Sequence, residues 1–339
     1  MPNPFPNPPI SSKGRLQCLE IESQMLRDNY WKDPHQRELW VYTPKGYSSK
    51  EQYPLVVFLA GFAGVGEGML ARSLTDISLA SRCDRWIQDG CAPFVAIFPD
   101  CMTTLGGSQY VDSPAIGNYA SHLIQEVIPF VQHHFSLSGK IGLAGRSSGG
   151  YGALRLAMEN PELIQGVACH AGDMGFRTAF LGEITSALLP LHNAGSPEAF
   201  LQSFWNKRRF GANDFAAFNL LCMSASYSPN IKKDGFPAEL PINYQNGEVD
   251  LSVFERWIAH DPIQLIEEPE HQKALRELDF LFLDVGRYDE YLLQFGARVF
   301  VEKLRKHNID HIYEEFDGGH RGTAYRYDKS IPDMIGAIR

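Results

Sequence analysis

The chain has 339 residues, of which 44% are hydrophobic, 21% charged and 12% aromatic, a composition that excludes a disordered or low-complexity protein. The formal net charge of −9 disfavours a polyanion partner, because nucleic-acid binding draws on clustered Lys and Arg, and "NKRRF" at 206–210 reads as a solvated helix face. The proline-rich start lacks the apolar core of a secretory signal, and no later run has the roughly twenty apolar residues that span a bilayer. Together with six cysteines that lack C-x-x-C spacing, these features point to a cytoplasmic protein with reduced thiols.

Residues 1–14 read as an extended arm ahead of one domain over 15–339. Strands are predicted at "LQCLEIES", "ELWVYTP" and "PLVVFLA", the last apolar throughout, as in a strand buried on both faces. A helical stretch "GMLARSLTDISLASRCDRWIQDG" leads to strand "FVAIFPD", and "NYASHLIQEVIPFVQHHF" leads to strand "KIGLAG". Then come "GRSSGG", the helix "YGALRLAMENP" and the strand "LIQGVACH". The alternation fails between about 175 and 277, where helical pieces broken by prolines predict a cap-like insertion over the site. It resumes with strand "DFLFLDV", helix "EYLLQFGARVFVEKLRKH" and strand "HIYEEFD". This order predicts an α/β fold with a mostly parallel sheet flanked by helices.

"GRSSGG" at 145–150 fits G-x-S-x-G, in which a serine sits on a tight strand-to-helix turn between small residues. Centring on Ser147 places Gly145 and Gly149 at the small positions, whereas centring on Ser148 would put Arg146 at one of them. A hydroxyl is a poor nucleophile without a base, and His320 in "DGGHRG" lies on a glycine-flanked loop after the last predicted strand. The acid that orients the base is expected beyond "DFLFLDV", where Asp284, Asp289 and Glu290 compete. Asp284 falls at the strand end and Glu290 at the helix start, so Asp289, past the bend that Gly286 allows, is the choice. The oxyanion donors are the N–H groups of Ser148 and of Phe62, in the loop "GFAGVGEG". Gly66, Gly68 and Ala71 match a dinucleotide fingerprint loosely, but Gly66 is displaced from the strand end and no acid follows at the required distance.

"GRSSGGYGAL", "LAGFAG", "VGRYDEYLLQFGARVF" and "DGGHRG", in this order, resemble the putative-esterase branch of the α/β-hydrolases. That branch includes esterase D, S-formylglutathione hydrolases, feruloyl esterases, enterochelin esterases and mycolyltransferases. The resemblance spans roughly residues 36 to 325. It implies an α/β-hydrolase fold and a Ser-Asp-His acyl-transfer enzyme with neither cofactor nor metal, and it too points to Asp289, through "GRYD". Ala60 stands where many hydrolases carry a histidine at the opening of the oxyanion loop. The expected reaction is hydrolysis of a small carboxylic ester through an acyl-enzyme on Ser147. A thioesterase or acyltransferase would use the same residues, and a non-catalytic binding module would keep only the fold. Phe200, Phe204, Trp205, Phe215 and Phe218 are candidate walls of the acyl pocket.

Overall fold

The computed structural model describes residues 13–339 apart from Arg72 and Thr75. The arm expected over 1–14 therefore lies, except for Lys13 and Gly14, outside the described residues. Eight strands form one sheet: β1 (Arg15–Glu22), β2 (Gln36–Thr43), β3 (Tyr53–Leu59), β4 (Val95–Pro99), β5 (Leu137–Arg146), β6 (Gly166–His170), β7 (Phe280–Gly286) and β8 (Ile312–Phe316). Their order is β1-β2-β4-β3-β5-β6-β7-β8. The β1–β2 and β2–β4 pairs are antiparallel and every later pair is parallel, so the expected mostly parallel α/β sheet is what the chain forms.

β3, β4 and β6 are buried along their whole length, as continuous apolar runs between two helical layers must be. Val57, Ile97, Leu143, Val167 and Leu283 face one core, and Val56, Phe58, Ala96, Ala144 and Phe282 face the other. The second core is closed by the helix Tyr327–Ile338, whose Ile331, Met334, Ile335 and Ile338 recur at helical spacing. Pro332 lies inside this helix, where packing of the apolar face overrides the missing N–H.

Three predicted helices differ in extent. Of the described residues from Gly68 to Gly90, Leu79–Gln88 form an α-helix, which the Ser78 side chain starts by accepting the Ser81 N–H, and a short 3-10 turn at Glu67–Leu70 precedes it. The helix after β4 widens to a π-turn over His122–Val127, just ahead of Pro129, which has no N–H to donate. The helix expected from Tyr151 starts three residues earlier and runs over Ser148–Glu159.

Between β6 and β7 lie seven helices, from Phe176–Ser186 to Pro269–Arg276. Phe180, Phe200, Leu221 and Trp257 from this region form an apolar cluster with Phe62, Leu105 and Tyr151 of the sheet side. The register of the central strands aligns Arg146, His170 and Asp284 at one carboxyl edge of the sheet. In open α/β sheets that edge is where ligands bind.

Candidate active site

Ser147 is the residue between β5 and the helix Ser148–Glu159, with φ 58° and ψ −128°. A positive φ is unfavourable for a residue with a Cβ, by on the order of 1–3 kcal/mol, and persists only where the surroundings enforce it. Here the Ser147 N–H donates to the His170 carbonyl at 2.9 Å and the Ser147 carbonyl accepts the Tyr151 N–H at 2.9 Å. The turn is also sterically closed. A Cβ at Gly149 would lie 2.1 Å from the Leu59 carbonyl oxygen, and one at Gly145 would lie 2.2 Å from the Gly149 backbone. Glycine at both positions is thus a packing requirement of the turn.

His320, on the loop after β8, places Nδ1 2.8 Å from Asp289 Oδ2. Asp289 is 2% exposed and its other oxygen accepts the Tyr291 N–H at 2.9 Å. Glu290 accepts the His320 N–H at 2.6 Å, so it braces the backbone of that loop and leaves the ring to Asp289. The Tyr291 ring packs edge-on against the imidazole at 4.8 Å between centroids. Asp284 is occupied elsewhere. Its carboxylate takes His170 Nδ1 at 2.7 Å and Arg326 Nε at 2.6 Å, while His170 Nε2 meets Ser330 Oγ at 2.8 Å. This second Ser-His-Asp chain is buried throughout, with Ser330 0%, His170 2% and Asp284 3% exposed. It cannot reach a substrate. It ties the helix Tyr327–Ile338 to β6 and β7.

Ser147, Ser148, Phe62 and His320 all line one cavity of about 750 Å³. Ser148 opens its helix and so contributes one of the first-turn N–H groups that have no intrahelical acceptor. Phe62 is held by its carbonyl, which accepts the Gly107 N–H at 2.8 Å, and its ring lies against Phe215 at 5.6 Å. Of the five aromatics considered as pocket walls, Phe215 lines this cavity and the other four do not. Phe200, Phe204 and Phe218 instead pack within the insertion's own apolar cluster, with Trp205 stacked edge-on beside Phe204 and Phe218. Gly66 sits where a Cβ would meet the Phe98 carbonyl oxygen at 2.2 Å, so its small size serves packing and not a phosphate.

The polar residues of the cavity that escaped the sequence reading include Asp173, Glu183 and Asn219. Asp173 follows β6 directly, and its Oδ1 lies 3.5 Å from Ser147 Oγ while Oδ2 accepts Ser148 Oγ–H at 3.1 Å. Burial pushes the Asp173 carboxyl up to about 6 and the Glu183 carboxyl up to about 7. The only available signal was an Asp among small residues at the end of an apolar strand, a pattern shared with ordinary turns.

A buried acid whose folded value lies above its ordinary 3.8 binds its proton more tightly when folded. Its contribution to stability is therefore full below about pH 4 and is lost as pH rises through about 6. Asp173→Asn removes that loss. The melting temperature of the variant relative to the parent should rise between about pH 4 and pH 8, by an amount equivalent to on the order of 2 kcal/mol. A difference that stays flat across this range in a thermal-melt series would show that Asp173 is not buried in this way.

Among the described residues no group of three or more His, Cys, Asp or Glu side chains has a metal-binding arrangement, and no helix is long and apolar enough to cross a membrane.

A parallel sheet in this strand order, with a strained serine at the β5-to-helix turn, defines the α/β-hydrolase class. Solved structures that cover nearly the whole chain share the fold at low identity. A ferulic acid esterase superposes with a TM-score of 0.61 at 15% identity, over 97% of this chain and 100% of the other. An S-formylglutathione hydrolase from Agrobacterium tumefaciens gives 0.58 at 15% identity, over 97% of each chain. A ferulic acid esterase from Anaeromyces mucronatus gives 0.56 at 17%, over 96% and 92%. No curated protein matches the sequence. Residues 34–338 match the family described as "Putative esterase", and the chain belongs to that family of carboxylic ester hydrolases.

Proposed function

We propose that this chain is a serine carboxylesterase with Ser147 as nucleophile, His320 as base and Asp289 as the group that orients it. The observation that carries the reading is the 2.8 Å contact of His320 Nδ1 with a buried Asp289, on the same cavity as a serine in a strained turn. Asp289 fixes the imidazole with Nδ1 protonated, which leaves Nε2 free to accept a proton. Ser147 Oγ attacks the ester carbonyl carbon and passes its proton to Nε2. The carbonyl oxygen takes the negative charge beside the N–H groups of Phe62 and Ser148. Collapse breaks the bond to the alcohol oxygen, which receives the proton from His320. Water then attacks the acyl group on Ser147 by the same route, and the acid leaves. Among the described residues the Ser147 hydroxyl of the free enzyme has the long 3.5 Å contact to Asp173, and substrate binding turns it to His320, since catalytic hydrogen bonds commonly tighten only in the complex.

The helices between β6 and β7 act as an insertion whose Phe180, Phe215 and Met223 wall the cavity on its apolar side. Six free thiols, four of them buried, support a reducing compartment such as the cytoplasm. The reading is tested with p-nitrophenyl esters and matched thioesters of rising chain length, assayed with and without an added alcohol. Ester hydrolysis should exceed thioester hydrolysis, with water as the preferred acceptor. Turnover of thioesters alone would make the enzyme a thioesterase, and ester formation with the added alcohol an acyltransferase.

A further inference from the structure

The cavity carries a group of acceptors to which the steps of ester hydrolysis above assign no role. Asp173 is 6% exposed and receives only serine hydroxyls. Glu183, on the helix Phe176–Ser186, takes Asn219 Nδ2 at 2.5 Å on one oxygen, and the other has no hydrogen-bond partner among the described residues. Asn219 is 7% exposed, and its Oδ1 is buried with no partner. All three residues line the cavity beside apolar Ala179, Phe180 and Met223. Among the described residues no lysine or arginine forms an ion pair with either carboxylate. Arg146 and Arg321, which also line the cavity, are engaged by Thr323 and Tyr291 respectively. A buried acceptor without a donor costs on the order of 1–3 kcal/mol, and two carboxylates in one apolar cavity repel. A ligand that brings several N–H donors and a positive charge relieves both.

We propose that Asp173, Glu183 and Asn219 form a subsite for a protonated amine, so that the preferred substrate is an ester bearing an alkylammonium group. This rests on the esterase reading above and specifies its substrate class. An ammonium offers three donors, for the second Glu183 oxygen, for Asn219 Oδ1 and for the Asp173 carboxylate beside its two serine hydroxyls, and its alkyl stem runs along Phe180 and Met223. A neutral alkyl chain of equal length leaves Asn219 Oδ1 and the second Glu183 oxygen unmet and both carboxylate charges uncompensated.

The test compares kcat/KM for pairs of equal length at about pH 8, where both carboxylates are ionised. One pair carries the charge on the acyl side, aminohexanoate against heptanoate ethyl ester. The other carries it on the alcohol side, aminohexyl against heptyl acetate. The charged member of at least one pair should be favoured by roughly tenfold or more, and Glu183→Gln should cut that ratio severalfold. Asp173→Asn, as a second variant, should cut it as well. Calorimetry with hexylammonium and hexanol supplies a readout independent of turnover, with the ammonium expected to bind roughly tenfold tighter. Equal rates within both pairs, a hydroxyhexanoate ester as good as the amino ester, or a ratio unmoved in both variants would overturn the subsite while leaving the esterase intact. If no ester is turned over and a fluorophosphonate fails to label the protein, the esterase reading falls instead. The calorimetric comparison then decides the subsite alone, equal or weaker binding of hexylammonium overturning it.

Discussion

Ser147→Ala should lower kcat/KM for a p-nitrophenyl ester by about 10⁴–10⁶-fold and abolish labelling by a fluorophosphonate. The neighbouring Ser148→Ala should still be labelled. The two hydroxyls lie side by side in sequence, but their surroundings differ. Ser148 is 1% exposed and its Oγ is engaged by Asp173 and by Gln109 Nε2 at 2.9 Å, whereas Ser147 stands at the strained turn with one long contact. Ser148 would serve through its backbone N–H, which alanine retains. Peptide mapping of the adduct checks the assignment, and an adduct on Ser148, or full labelling of Ser147→Ala, would move the nucleophile.

The next largest effect is expected at Asp289. Asp289→Asn should reduce kcat by about 10⁴-fold with little loss of stability, because an amide in that place favours the wrong imidazole tautomer while keeping the shape. Asp284→Asn should do the opposite. Its carboxylate is the shared partner of His170 and Arg326, so neutralising it leaves a buried cation with only Glu314, a loss of the order of 3–5 kcal/mol. Folded Asp284→Asn should keep most of its activity. Glu290→Gln should be mild, since an amide oxygen can still accept the His320 N–H. Melting curves measured beside kcat for all three variants separate the roles. An inactive but stable Asp284→Asn with an active Asp289→Asn would transfer the orienting role to the strand end.

The strands were legible because burial on both faces leaves continuous apolar runs, and β3, β4 and β6 are of that kind. The serine turn was legible because Gly145 and Gly149 are demanded by backbone contacts, so the spacing carries the geometry. Helix limits were less so. The π-turn at His122–Val127 and the helix containing Pro332 both depend on packing that overrides local preference. Asp284 and Asp289 could be ordered by the position of Gly286, yet the buried partners of Asp284, His170 and Arg326, come from β6 and the segment after β8, and no local pattern joins them. The Asp173, Glu183 and Asn219 group was invisible for the same reason. Its members come from a loop and two separate helices, and only the cavity brings them together.

The buried chain of Ser330, His170, Asp284 and Arg326 also bears on the order in which the enzyme matures during synthesis. The strained turn at Ser147 leans on the His170 carbonyl, and the His170 ring is in turn held by Ser330, which lies 160 residues further along the chain. That residue leaves the ribosomal tunnel long after the turn itself has been made, so the tie from Ser330 to the His170 ring is among the last contacts to form. What this chain adds to the turn, beyond the turn's own backbone bonds and glycine packing, is therefore in place only once the helix Tyr327–Ile338 has docked on the sheet.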